Sequence, residues 1–231
     1  GISGQINNNI VTDGLVFYVD AAYKLSYPRT GTTWFDIIGD NNGTLFNGTN
    51  FITDDNGVIN FDGADDGVEL PVALNVLFDN IDEFSLSMWA KINTEDGTGN
   101  RLFQAESTAA GDNWKFAFRN HSNTIQFGTN NGSGTYPTIS SAYSFDVWYN
   151  IVGTFKASTS QKLYFNGAQV ATDTPGVLAT SESNSKIRIG AGGNTLRTMD
   201  GQVANTLLYT KELSAQEVKQ NYNALKSRFG L

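Results

Sequence analysis

The amino-acid sequence predicts an all-β chain: two antiparallel sheets packed as a sandwich, with a short C-terminal α-helix. Three observations carry the prediction. Short apolar runs recur about every 8 to 15 residues, separated by polar, glycine-rich breaks, which is the spacing of sandwiches and barrels. No crossover helices lie between the runs and no glycine-rich nucleotide fingerprint follows one, so a parallel βαβ sheet is excluded. A helical period appears only near the C-terminal end, at 214–229.

Each element follows from its own residues. Positions 1–13 (GISGQINNNIVTD) are polar and without period, and read as an arm or linker end, leaving 14–231 as one domain. LVFYVD at 15–20 is the first strand. The stretch 21–44 has turn residues at Pro28, Gly31 and Asp40-Asn41-Asn42-Gly43, and reads as a long packed loop with a short strand or turn around Trp34. Short strands are expected at 45–52, 58–61 and 67–70, the last two hinged on an Asp/Gly turn, with one helical turn or an ordered loop after Pro71.

The run FSLSMWAKI at 84–92 alternates cleanly. Phe84, Leu86, Met88 and Ala90 form the core face, so Trp89 needs cover on the other side, under a loop or at a concave face. RLFQAES, WKFAFRN and TIQFGTN continue as a meander. At 148–170 two alternating runs flank a polar bend and end in Asn166-Gly167, a tight-turn pair. Trp148, Ile151 and Phe155 anchor the first run; in the second, Leu163 and Phe165 point opposite to Tyr164. After a strand at 203–209, Ser214 with Glu217 makes a capping box. Val218, Tyr222, Leu225 and Phe229 then form one apolar stripe.

Composition narrows the function. A chain of 231 residues buries roughly 70% of its extended surface and needs no covalent staple. With no Cys, disulfides, thiolate metal sites and Cys nucleophiles are excluded. A net charge of −8 disfavours nucleic acid as a partner. No run is long and apolar enough for a membrane span.

Several blocks together resemble the laminin-G-like, concanavalin A-like lectin and glucanase jelly-roll family. They are FDGADDGVEL (61–70), FSLSMWAKI (84–92), WYNIVGTF (148–155), KLYFNGAQV (162–170), IRIG (187–190) and DGQVANTLLYTKELSAQEV (200–218). The opening GLVFYVDAAYKLSYPRTGTTWFDIIGDNNGTL (14–45) is similar to the subset found in virus and phage structural proteins. The resemblance implies one flat or convex sheet and one concave sheet, with ligands on the concave face or rim loops and often a calcium ion nearby. It also implies a non-enzymatic module of a virus or phage particle, in the virion or outside the cell, self-associating or docked on a larger assembly. The alternative it implies is a carbohydrate-binding, lectin-like module, with or without the help of calcium. Glucan-hydrolysing members carry a Glu-x-Asp-x-Glu type of set on one strand, which this sequence lacks, so no catalytic residue is expected.

The residues offer matching candidates. Sugar binding needs an aromatic platform with amide partners, and Trp114, Tyr136 and Tyr143 with Asn113 and Asn120 are the group expected to supply it. Calcium prefers carboxylate and carbonyl oxygens from loops, and Asp62, Asp65 and Asp200 are the candidate ligands. His121 stands alone as the only histidine, in a polar turn, and reads as solvated.

Overall fold

The computed structural model describes residues 9–107, 113–132, 136–193 and 197–231. In chain order its strands begin with β1 (Leu15–Asp20), β2 (Thr33–Trp34), β3 (Gly43–Phe46), β4 (Asn50–Ile52), β5 (Val58–Asp62) and β6 (Gly67–Leu70). A one-turn helix α1 (Val72–Val76) precedes β7 (Glu83–Thr94), β8 (Asn100–Glu106), β9 (Trp114–His121), β10 (Thr124–Thr129) and β11 (Thr138–Ala142). The second half holds β12 (Trp148–Lys156), β13 (Ser160–Phe165), β14 (Ala168–Asp173), β15 (Ile187–Ile189), β16 (Asp200–Tyr209) and helix α2 (Ala215–Leu225).

Two eight-stranded antiparallel sheets result. The first runs β14-β13-β12-β7-β16-β5-β4, with β1 also paired to β16; the second runs β11-β10-β9-β8-β15-β6-β3-β2. Their inner faces meet in one apolar core that contains Phe84, Leu86, Met88 and Ala90 of β7 as well as Phe116 and Phe118 of β9. The 148–170 unit forms as its alternation dictates. Ile151, Phe155, Leu163 and Phe165 enter the core, Tyr164 faces outward, and Asn166 and Gly167 take φ of 51° and 80°, both in the left-handed region.

Three local expectations change. The run 45–52 is two strands: Asn47, at φ 55°, turns the chain, so β3 joins the second sheet and β4 the first. The described part of the N-terminal arm is seated. Ile10 and Val11 are buried, the Val11 N–H donates to Asn221 Oδ1 at 2.8 Å, and Tyr209 Oη donates to the Val11 carbonyl at 3.1 Å.

The third change concerns Trp89. Its cover is neither a loop nor a concave face but the C-terminal stripe. The Trp89 ring stacks on Tyr222 (5.8 Å, 15°) and on Phe229 (4.1 Å, 17°), while Trp148 lies 4.7 Å from Phe229. The helix is set there by its capping box, in which Ser214 Oγ accepts from the Glu217 N–H and Glu217 Oε2 accepts from the Ser214 N–H. Arg228 then locks the end, donating to Asp20 Oδ1 at 2.8 Å and to the Asp55 carbonyl at 2.7 Å.

Candidate ligand cleft and acidic turn

The outer face of the second sheet is built by alternation. On β9, Phe116 and Phe118 point into the core, so Ala117 and Arg119 point out. The register shift between Ala105 and Glu106 of β8 falls opposite the start of β9, where Trp114 pairs with Glu106. Trp114 lies across Gly128 of β10: a Cβ on that glycine would sit 2.4 Å from Trp114 Cη2, so only glycine leaves room for the indole.

Over Trp114 lies Tyr136, ring centroids 4.8 Å apart, and Tyr136 Oη donates to Asn113 Oδ1 at 3.3 Å. These three residues, with Thr138, Arg101, Arg119 and Arg197, line an open cleft of about 340 Å³. A second cleft of about 350 Å³ lies alongside, lined by Ser107, Asn130, Thr180 and Glu182 among others, and shares Asn113 and Tyr136. Tyr136 thus stands as a ridge between two polar hollows, and it is the exposed ring of the pair at 37%, against 5% for Trp114.

The five residues expected to bind sugar therefore divide. Trp114, Asn113 and Tyr136 come together in the cleft. Asn120 and Tyr143 do not join them. Asn120 shares the inward parity of Phe116 and Phe118, is 1% exposed, and donates from Nδ2 to Tyr143 Oη at 3.3 Å. Tyr143 packs against the core beside it. The arginines are what the sequence reading missed, although the outward parity of Arg119 was a usable signal.

Farther along the same face, Arg188 of β15 ties two carboxylates, Glu69 of β6 and Glu106 of β8. Lys186 Nζ adds a second bond to Glu69 at 2.6 Å. Burial pushes the Glu106 carboxyl above its ordinary value, against the opposing pull of the Lys186 N–H and the Arg188 charge. Another ion pair starts from Lys115 of β9. Lys115 is fully buried, donating to Asp79 Oδ1 at 2.6 Å, the Asn75 carbonyl at 2.8 Å and Ser181 Oγ at 2.9 Å.

The acidic turn joins β5 to β6. Asp62, Asp65 and Asp66 bring carboxylate oxygens within 4.8 Å of one another. The turn is rigid: Ala64 N–H donates to Asp62 Oδ1 (2.8 Å), Asp62 N–H to Asp66 Oδ2 (3.0 Å), and Asn47 Nδ2 to the Asp65 carbonyl (2.7 Å). Burial raises the Asp66 carboxyl, and the neighbouring Asp62 and Asp65 charges add to it. Asp200 sits opposite Asp62 in the ladder, but its carboxylate accepts from Asn93 Nδ2 at 3.1 Å and Thr94 Oγ1 at 2.6 Å. Asp66 completes the cluster instead. The turn also touches the cleft's border, since Thr198 Oγ1, next to Arg197, donates to the Gly63 carbonyl at 2.7 Å.

A larger hollow of about 620 Å³ lies between β1 and the C-terminal helix, and its charged groups, Asp20 and Arg228, are paired to each other.

With this geometry the comparisons fall into place. The family model described as the concanavalin A-like lectin/glucanases superfamily matches residues 62–219. The chain belongs to this superfamily. No curated protein sequence matches it. Among solved structures, the receptor-binding domain of botulinum neurotoxin C/D mosaic serotype is similar at TM-score 0.72 and 15% identity, covering 94% of this chain and 52% of that one. A botulinum neurotoxin type C structure, described as entering cells through interaction with two ganglioside molecules, is similar at TM-score 0.70 and 14% identity, covering 92% and 51%. Trypanosoma rangeli sialidase in complex with sialic acid is similar at TM-score 0.71 and 20% identity, covering 94% and 34%. At these identities the likeness is one of fold. The chain spans about half the length of the toxin structures and a third of the sialidase. The virus and phage subset finds no support in these matches.

Proposed function

We propose that this lectin-like domain binds carbohydrate at the outer face of the second sheet, in the paired clefts on either side of Tyr136. The observation that carries this reading is the Trp114–Tyr136 stack with Asn113 at its edge: an apolar wall beside convergent amide and hydroxyl groups. A sugar needs both, since its ring carbons pack on an aromatic face while its hydroxyls need partners. The shared ridge gives room for more than one sugar unit. Glycan-binding relatives, one holding sialic acid and one described with gangliosides, support carbohydrate over the particle-building role that the sequence suggested.

The reading is one of binding without catalysis. Glu69 and Glu106 are the paired carboxylates of this face, and both are neutralised by Arg188, with Lys186 also on Glu69. A general acid and a nucleophile need freedom to exchange protons or attack, which this bridging removes. In this reading the domain works outside the cell. Among the described residues, no helix is long and apolar enough to cross a membrane.

The acidic turn adds a calcium ion to the proposal. Its donor set is all oxygen, from three carboxylates on a short turn, which suits a hard cation. Asp62, Asp65 and Asp66 would hold it, and the ion would offset the burial and the neighbouring carboxylate charges that lift Asp66. Calcium titration of the isolated chain is expected to raise its melting temperature, and Asp66→Asn to abolish the rise. An unchanged melting temperature at millimolar calcium would remove the ion from the reading.

A glycan array probed with the isolated chain tests the main proposal. Binding is expected for at least one glycan class, and Tyr136→Ala should weaken it about tenfold or more while leaving the melting temperature in place. Absence of binding to every glycan would refute the proposal.

A further inference from the structure

We infer that the hollow between β1 and the C-terminal helix is a second ligand site, and that its ligand is a small neutral sugar. It lies on the outer face of the first sheet, away from Tyr136, and does not rest on the reading of the clefts there. Tyr18 and Asp20 of β1 face outward, since Val19 between them enters the core. Ile37 and Leu225 add apolar surface to the lining. The volume, about 620 Å³, exceeds that of either cleft beside Tyr136 and falls in the range of small-molecule pockets. Trp89 and Tyr222 take no part in the lining, so the hollow sits beside the aromatic cover rather than beneath it.

The polar groups of this hollow hold hydrogen-bonding capacity in reserve. Asp20 Oδ1 accepts from the Ala22 N–H at 2.9 Å and from Arg228 Nη1 at 2.8 Å. Among the described residues Oδ2 accepts only from Tyr18 Oη, at a long 3.3 Å. Arg228 has five N–H groups and commits three, to Asp20 Oδ1 and to the carbonyls of Asp55 and Gly57. Those two carbonyl bonds fix Asn56, which stands between them at φ of 68°. The side chains of Asn56 and Ser227, both on the lining, make no hydrogen bond among the described residues. Asn205, the ladder partner of Asp20 on the same face, is fully buried, and neither its Oδ1 nor its Nδ2 has a partner among the described residues. The chain leaves this polar floor unsatisfied, and leaving buried polar groups so is costly.

The same groups name the ligand. Asp20 and Arg228 are the charged residues of the lining and are bonded to each other, so the hollow offers no net charge to an ion. What remains is mixed: an acceptor at Asp20 Oδ2, donors on Arg228, and both kinds on Asn56 and Ser227. A hydroxyl donates and accepts at once, so a ring of hydroxyls meets this set where an ion or a hydrocarbon does not. The C–H face of the sugar then packs on Ile37 and Leu225. With the Tyr136 clefts on the other sheet, one chain carries sites on both outer faces and can link two glycans.

The test follows the backbone amides of the full chain by NMR while the methyl glycosides of glucose, galactose, mannose and N-acetylglucosamine are titrated in, with methyl glucuronide as a charged comparator. At least one neutral glycoside is expected to shift the amides of residues 20–22, 55–57 and 225–228 together and saturably. Ser227→Trp, at an exposed position on the lining, should fill the hollow and abolish those shifts. Asn56→Gly keeps the turn, since glycine takes a positive φ, and should weaken binding about threefold or more by removing the amide. Both variants should hold the melting temperature, and Tyr136→Ala should leave the shifts in place. An absence of shifts with every neutral glycoside, shifts unchanged in both variants, or methyl glucuronide binding as tightly as the neutral sugars would each overturn the inference. If glycan binding is found that Tyr136→Ala abolishes while these shifts are absent, this inference fails alone. If the shifts appear and no binding depends on Tyr136, the cleft reading fails and the hollow stands.

Discussion

The two outer faces of this sandwich begin from the same material and end differently. Each sheet projects tryptophan away from the core, Trp89 and Trp148 on the first and Trp114 on the second. On the first, the chain supplies its own occupant: Tyr222, Leu225 and Phe229 of the C-terminal segment lie on both indoles, and Arg228 finds Asp20. On the second, a single tyrosine leans on Trp114 and three arginines stand around an open hollow. An aromatic and basic face is therefore not by itself a binding site. What separates the two is whether the rest of the chain brings apolar area to cover the tryptophan.

Removing the cover's anchor gives the largest effect. Trp89→Ala should cost about 3–5 kcal/mol in chemical denaturation, as expected for a fully buried tryptophan stacked on two rings. It should touch glycan affinity only through the folded fraction. A loss of affinity in protein that remains folded would blur the distinction between the faces.

Next comes Gly167→Val, at about 1–3 kcal/mol. The residue holds φ of 80° in the hairpin turn, and a side chain there would also meet Tyr222 Cδ1 at 3.1 Å, so turn and helix are strained together. Denaturation midpoints of Gly167→Val and Gly167→Ala measure it, and a neutral result would show that the turn does not support the cover.

The smallest effect lies behind the open face and depends on pH. Burial works against the Asp79 carboxylate, but bonds from Lys115 and Ser181 outweigh it and hold the carboxyl below its ordinary value. A lowered folded value means stability that is fully present above about pH 4 and lost as pH falls through that lowered value. Melting temperature against pH should lose part of its acid slope in Asp79→Asn, and an identical slope would contradict the assignment.

The legibility of these features follows distance along the chain. The β7 alternation, the Asn166-Gly167 turn and the Ser214–Glu217 cap are set by residues within a few positions of each other, and all three stand as read. The cover over Trp89 joins residues more than a hundred positions apart, so sequence could demand a partner without naming it. The same limit divides the site. Trp114, Asn113 and Tyr136 were legible as types and proved to be neighbours, whereas Arg101, Arg119 and Arg197 meet only through the β8/β9 register and the loop before β16. Asn120 was a failure of parity rather than of distance, since Phe116 and Phe118 already assigned its face. In the acidic turn, Asp66 was legible beside Asp62 and Asp65, but that Asn93 and Thr94 occupy Asp200 was not.

The seated N-terminal segment has a practical consequence for how the protein can be presented. Gln220 Nε2 donates to the Asn9 carbonyl at 3.0 Å and Asn221 Oδ1 accepts from Val11, so residue 9 and the C-terminal helix lie on the same side of the sandwich. The Trp114 cleft opens on the other side. A tether joined at residue 9 or at the C-terminal helix would hold the protein by its back with the cleft directed outward, and a row of copies fixed this way would meet a glycan-coated surface with every cleft at once, where weak single contacts multiply into strong attachment.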